Sequence, residues 1–203
     1  MKPPRLFISS LVLAATLLGC GALLAQEKTP AAFTVSTIAL LLKAEKGDGK
    51  ALAELRDRAE KGEADAQNFL GGMYSKGEGV AKDEVEAVKW YRKAADQGDA
   101  SAQMLLGTSY VLGQGVAKDE VEAVKWFRKA VDQGLAGAQF NLGLMYATGL
   151  GVAKDEVEAY KWWLLAGAQG FQLAKRYIPL SERNLTAAQR AEGQKLAREF
   201  KKK

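Results

Sequence analysis

Apolar residues recur through the middle of the chain at the spacing of one helix face. Ala66, Leu70 and Tyr74 stand at i, i+4 and i+8, and Leu106 with Tyr110, then Leu142 with Tyr146, repeat the stripe. A second stripe follows each first one: Ala87, Trp90 and Ala94 at i, i+3 and i+7, and again around Trp126 and Trp162. Both stripes have the period of an amphipathic helix, and no segment alternates with the two-residue period of a strand. The pattern itself is periodic. Val80 to Trp90 recurs letter for letter as Val116 to Trp126 and returns as Val152 to Trp162 with Tyr160 in place of valine, an offset of 36 residues each time. A fixed period in this range predicts a solenoid of stacked helix pairs, whose units bury apolar faces against their neighbours and present one extended surface.

Polar residues mark where the helices begin and end. Asp83 is a good N-cap, with Glu86 three residues on in a box-like arrangement. Glu84 and Glu86 lie at the end where the helix dipole favours negative charge, and Arg92 and Lys93 at the end where it favours positive charge. Gly98 supplies a left-handed stop. These marks recur at Asp119 and Gly134 and at Asp155 and Gly170. Three units follow, 65–100, 101–136 and 137–172, within a repeat region of 63–172. In each, the first helix is helix A and the second helix B. Trp90, Trp126 and Trp162 share an apolar face with the alanines and are read as core. Gly71, Gly107 and Gly143 lie inside helix A, where glycine costs about 1 kcal/mol against alanine. Their recurrence predicts a close approach of two backbones.

Outside the units the signals are weaker. Residues 26–35 form a polar lead-in. Ser36–Lys46 and Lys50–Lys61, stopped by Gly47 and Gly62, read as an N-terminal capping pair over 36–62. Residues 173–203 read as a C-terminal cap. There Leu173 to Ile178 begins another helix A that Pro179 cuts short, and Thr186 with Gln189 opens a helix from Ala187 to Phe200 that lids the stack. Lys201 to Lys203 make a basic tail.

The inventory narrows the chemistry. The chain has no histidine and one cysteine, Cys20. Ser-His-Asp triads, Cys–His dyads and zinc fingers are excluded, as is a disulfide within the chain. The glycine pairs ending in Gly79, Gly115 and Gly151 resemble phosphate loops only superficially. A dinucleotide fingerprint needs a strand before it and a third glycine, whereas here a helix precedes and valine follows, so these glycines are structural turns. Asp83, Glu84 and Glu86 fit caps and a solvated first turn. A net charge of +5 with both signs mixed is not the footprint of a nucleic-acid binder. No cofactor or metal is expected.

The first 25 residues are read as an export signal: Lys2 and Arg5 precede an apolar run from Leu6 to Leu18. Three exits stay open. Ala25 fits a signal-peptidase cut. Leu17 to Cys20 resembles a lipoprotein box with Cys20 as the lipidated residue, although Leu18 departs from the small residue usual there. The 20 uncharged residues Leu6–Ala25 are also just long enough for an uncleaved anchor. Each places the body outside the cytoplasm, in the periplasm or extracellular space.

The motif Ala66-Gln67, Leu70-Gly71, Tyr74, Gly77-Glu78-Gly79-Val80, Asp83, Ala87, Trp90-Tyr91, Ala94 and Gly98 resembles the Sel1-like repeat, a relative of the tetratricopeptide repeat, over residues 62–172. The tail from Leu185 to Phe200 resembles the closing helix of bacterial proteins of that type. The resemblance implies an all-α, right-handed solenoid of antiparallel helix pairs that binds proteins; it does not imply an enzyme, and a non-catalytic role is the expectation. It also implies that helix A lines a concave side.

Helix B is nearly constant between units and helix A is not. With Leu70 toward the core, about 100° per residue puts positions 68, 72, 75 and 76 on the opposite arc. Unit one offers Asn68, Gly72, Ser75 and Lys76; unit two Met104, Thr108, Val111 and Leu112; unit three Phe140, Leu144, Ala147 and Thr148. The expectation is a groove, polar at the first unit and apolar at the next two, that binds a protein or peptide segment through Asn68, Lys76, Met104, Thr108, Leu112, Phe140, Leu144 and Thr148. Packing between adjacent helices A is the competing explanation of the same face. The rival functions are an enzyme or accessory of cell-wall metabolism, which needs carboxylates converging in the groove, and a ligand-binding solenoid, which needs exposed tryptophans.

Overall fold

A computed structural model describes residues 35–200; the expectations for the export signal, Cys20, the lead-in and the basic tail fall on 1–34 and 201–203, outside the described residues. The described residues are all helical, without strands. The elements are α1 (Val35–Glu45), α2 (Gly49–Glu60), α3 (Ala64–Lys76), α4 (Glu84–Asp96), α5 (Ala100–Leu112), α6 (Glu120–Asp132), α7 (Ala136–Thr148), α8 (Glu156–Ala168), α9 (Gln172–Asn184) and α10 (Ala187–Phe200). Each unit pairs a helix A with its helix B: α3 with α4, α5 with α6, α7 with α8. Each helix B then packs on the next helix A.

The caps do what the sequence predicts. The Asp83 and Asp119 carboxylates accept from the Glu86 and Glu122 backbone N–H at 2.9 Å each, and Asp155 accepts from Val157 and Glu158. Glu86 does not close a reciprocal box; its carboxylate takes Lys89 at 2.8 Å. At α10 the box is reciprocal: the Thr186 N–H donates to Gln189 Oε1 at 2.9 Å, and the Gln189 N–H to Thr186 Oγ1 at 3.3 Å.

Pro179 is a correction. It does not end a helix but lies inside α9, which runs on to Asn184. An internal proline loses one hydrogen bond and crowds the preceding turn. Here Pro179 is exposed, so the freed carbonyl of Lys175 stays on the wet side. Ala174 before it and Ser181 and Leu185 after it are buried and hold both halves.

Three repeated devices join the units. In the first, the second loop glycine lies on the helix B of the preceding unit. A Cβ on Gly115 would collide with the Glu84 carbonyl, and one on Gly151 with the Glu120 carbonyl. Gly79 meets the Ala44 carbonyl of α1 in the same way, so the capping pair takes the place of a unit. In the second, buried glutamines form a ladder. Gln67 Nε2 donates to the Ala59 carbonyl at 2.9 Å and Gln103 Nε2 to the Ala95 carbonyl at 3.1 Å, adding a side-chain donor to helix-end carbonyls that also accept from the Gly62 and Gly98 N–H groups. Gln133 Nε2 then donates to Gln103 Oε1 and to the Gly98 carbonyl, and Gln169 repeats this on Gln139 and Gly134. In the third, arginines reach the tyrosine of the next helix A: Arg56 to Tyr74 at 3.3 Å, Arg92 to Tyr110, and Arg128 to Tyr146 at 3.1 Å.

The helix-A glycines admit both the expected second backbone and a ring. A Cβ on Gly71, Gly107 or Gly143 would meet the ring of Tyr91, Phe127 or Trp163, with a helix-B carbonyl behind it. The same device closes the stack. Where units one and two carry Val88 and Val124, unit three carries Tyr160, and Gly193 of α10 lies on that ring. Tyr160 Oη donates to Glu182 Oε1 at 2.7 Å and accepts from Gln194 at 3.4 Å, while Phe200 sits edge-on to Trp162 with centroids 5.0 Å apart. Among the described residues no further glycine loop covers this position, and α10 covers it instead.

Candidate functional site

The predicted groove residues divide into two groups. Asn68, Thr108, Phe140 and Leu144 are buried; Met104, Leu112 and Thr148 are half-buried and Lys76 is exposed. The first group is thus not on an open surface, and its contacts explain its variation. Asn68 Nδ2 donates to Asp99 Oδ1, at the N-cap of the next unit, at 3.1 Å. One unit on, the same two positions are Met104 and Leu135, which share one apolar cluster. One further on they are Phe140 and Phe171, with ring centroids 5.2 Å apart. Phe140 also meets Tyr177 edge-on at 5.2 Å. The chemistry of each helix-A position is therefore matched in its neighbour: amide to carboxylate, then aliphatic to aliphatic, then ring to ring. The match alters the caps as well. Asp99 accepts from the Ala102 N–H at 2.6 Å, whereas Leu135 and Phe171 give their helices no side-chain cap. A lost cap costs about 1 kcal/mol, and burying a large apolar side chain returns about 1.5–3 kcal/mol.

The accessible remainder runs along the last turn of helix A. Ser75 and Lys76, Leu112, and Ala147 and Thr148 occupy equivalent places in successive units, with Met104 two turns earlier in the central unit. Lys76 pairs with Glu78 at 3.2 Å. Thr148 Oγ1 donates to the Leu144 carbonyl at 2.7 Å, so its methyl group is turned off the backbone. The strip is polar at unit one and apolar at unit two.

The tryptophans are core. Trp90, Trp126 and Trp162 are 8%, 4% and 6% exposed, each with a lysine ammonium over its ring. Faces covered in this way are not free to stack on a ligand. The helix-B carboxylates are engaged too: Glu84 with Lys82, Glu120 with Lys118 and Glu156 with Lys154. Among the described residues no group of three or more Asp, Glu, His or Cys is placed to hold a metal ion.

The joint between units one and two holds two carboxylates, Asp65 and Asp99. Burial pushes the Asp99 carboxyl above its ordinary range, and the Asp65 charge adds to this against the hydrogen bonds from the Ala102 and Ser101 N–H groups. Asp65 Oδ2 is buried without a hydrogen-bond partner. A carboxyl whose folded pKa lies above its unfolded value destabilises the fold when ionised, and the penalty is relieved as pH falls from the folded value toward about 3.9. Asp99→Asn keeps the cap acceptor and removes the charge. It is expected to melt above the unaltered protein at pH 8, with the difference vanishing by about pH 4. Melting curves across that range check this; a constant difference contradicts it.

A family model for the Sel1 repeat matches residues 64–99, 100–135 and 136–171. The crystal structure of a Sel1 repeat protein from Oxalobacter formigenes is 41% identical, with a TM-score of 0.64, over 71% of this chain and 59% of that one. That of c5321, a protective antigen present in uropathogenic Escherichia coli strains and displaying an SLR fold, is 33% identical, with a TM-score of 0.57, over 81% of this chain and 45% of that one. The chain thus spans about half the length of these two relatives. No functionally curated protein matches it. With three successive matched repeats and the helix pairing to go with them, the chain belongs to the Sel1 repeat family.

Proposed function

We propose that the protein is a non-catalytic scaffold, exported to the cell envelope, that holds a segment of a partner protein along the accessible strip of its helices A. Sel1 repeat proteins generally act in protein–protein interaction, and the solenoid supplies an extended surface for it. One observation carries the choice of strip. Helix B is nearly identical in units one and two and changes in unit three where α9 and α10 cover it, and the buried variation of helix A is matched unit to unit, which leaves Lys76, Leu112 and Thr148, with the half-buried Met104, as helix-A positions that vary and remain accessible. An amphipathic segment with apolar side chains toward Met104 and Leu112 and polar ones toward Ser75 and Lys76 fits this order. The basic start and apolar run of the first 25 residues support export.

The test compares two charge-altered proteins. Lys76→Glu with Leu112→Asp is expected to lose the partner that co-purifies with the unaltered chain by tenfold or more, roughly the effect of one hot-spot residue. Val85→Asp with Val121→Asp alters exposed valines of helices B and is expected to retain it. Equal loss in both places the contact elsewhere.

A further inference from the structure

The two ends of the solenoid differ in a way that stacking does not require. Terminal units normally turn a polar face outward, because no neighbour covers them. The C-terminal end comes nearer to this rule: α9 exposes Lys175, Arg176 and Arg183, with Leu180 a single exposed large apolar side chain beside them. The N-terminal end does not. Leu41 and Ala44 of α1 are buried against the stack, while Ile38 and Leu42, one turn apart on another face, are 39% and 52% exposed. Ala39 beside them is exposed, and Lys43 and Lys46 flank the stripe, also exposed.

We propose that this face of α1 rests on an anionic lipid surface. The proposal builds on the export reading in the form in which the chain stays attached to the membrane. The stripe is too small for a second copy of the chain: a specific interface needs about 1,000 Å² in total, and two half-exposed side chains fall far short. A weak apolar contact with lysines beside it is the composition that lies in a headgroup layer, where basic residues near anionic lipid add attraction. Such a contact holds only with a second attachment. The sequence supplies one, since the uncharged run Leu6–Ala25 ends nine residues before Val35. At full extension nine residues span about 30 Å, so an attached run keeps α1 near the surface and makes the weak contact effectively intramolecular. The polar α9 end then points away, and the strip along helices A stays open to a partner.

The full chain is reconstituted in vesicles of phosphatidylethanolamine and phosphatidylglycerol, with a photocross-linking phenylalanine analogue in place of Leu42 or, separately, Leu180. Leu180 is 40% exposed at the far end, so it is a matched control. The expected result is a lipid adduct from position 42, at least fivefold above position 180. Lys43→Glu with Lys46→Glu, or vesicles of phosphatidylcholine alone, should lower it severalfold. A protein–protein adduct at 42, a link from 42 to the chain's own residues 26–34, or equal lipid adducts at both positions overturns the proposal. The mass of the mature N-terminus from the envelope decides the attachment reading separately. Gln26 at the start would refute attachment, while the reconstituted full chain still reports whether this face takes lipid.

Discussion

Gly115→Ala is expected to destabilise the protein by more than any exposed substitution. Gly115 has a left-handed backbone, φ +68, and its missing Cβ is where the Glu84 carbonyl of the preceding unit lies. Alanine there carries about 1–2 kcal/mol of left-handed strain. It also forces two backbone segments apart, with overpacking costs of about 1–3 kcal/mol. Gly98 separates the two effects. It is also left-handed, φ +96, but an added Cβ there meets nothing within 4 Å, so Gly98→Ala should show the strain alone. Urea titrations of the two variants check this. Equal midpoints would mean that the loop glycine serves its own turn and does not set the distance between units.

Phe140→Ala is expected to cost about 3–5 kcal/mol, the range for truncating a buried ring. Phe140 is 0% exposed and meets both Phe171 and Tyr177 of α9, so its loss should loosen α9 first. Hydrogen exchange is expected to rise in α9 and α7 well before α3. Uniform exchange along the stack, or a loss under about 1 kcal/mol, would return Phe140 to the surface role that its place in the sequence predicts.

That difference shows where the sequence was legible. The frame was: caps, stops, period and core tryptophans are local signals repeated three times, and the helices α1 to α8 begin and end within a residue or two of them. The assignment of helix A was not, because the side of a helix away from its own core is also the side that meets the next unit. Asn68 looks like a groove residue until Asp99, 31 positions on, is seen to receive its amide. A signal for this did exist. Reading position 68 with 99, 104 with 135 and 140 with 171 gives Asn–Asp, Met–Leu and Phe–Phe, a matched series. Tyr160 was visible as the single break in an otherwise invariant segment, but its meaning depended on Gly193 crossing it 33 residues later. Gln67, Gln103 and Gln139 formed part of the repeat motif without a role until their partners were in place: the Ala59 and Ala95 carbonyls for the first two, and the Gln169 amide for Gln139. Pro179 misled because a proline's cost depends on which side of the helix faces water.

The buried part of helix-A variation joins the units, and the accessible part is proposed to meet the partner. Photocross-linking in intact cells is the most direct test, with the cross-linker placed at Leu112 on the strip or at Val121 on helix B. One dominant protein adduct is expected from position 112 and none of the same mass from position 121. The same adduct from both positions, or from position 121 alone, would contradict it.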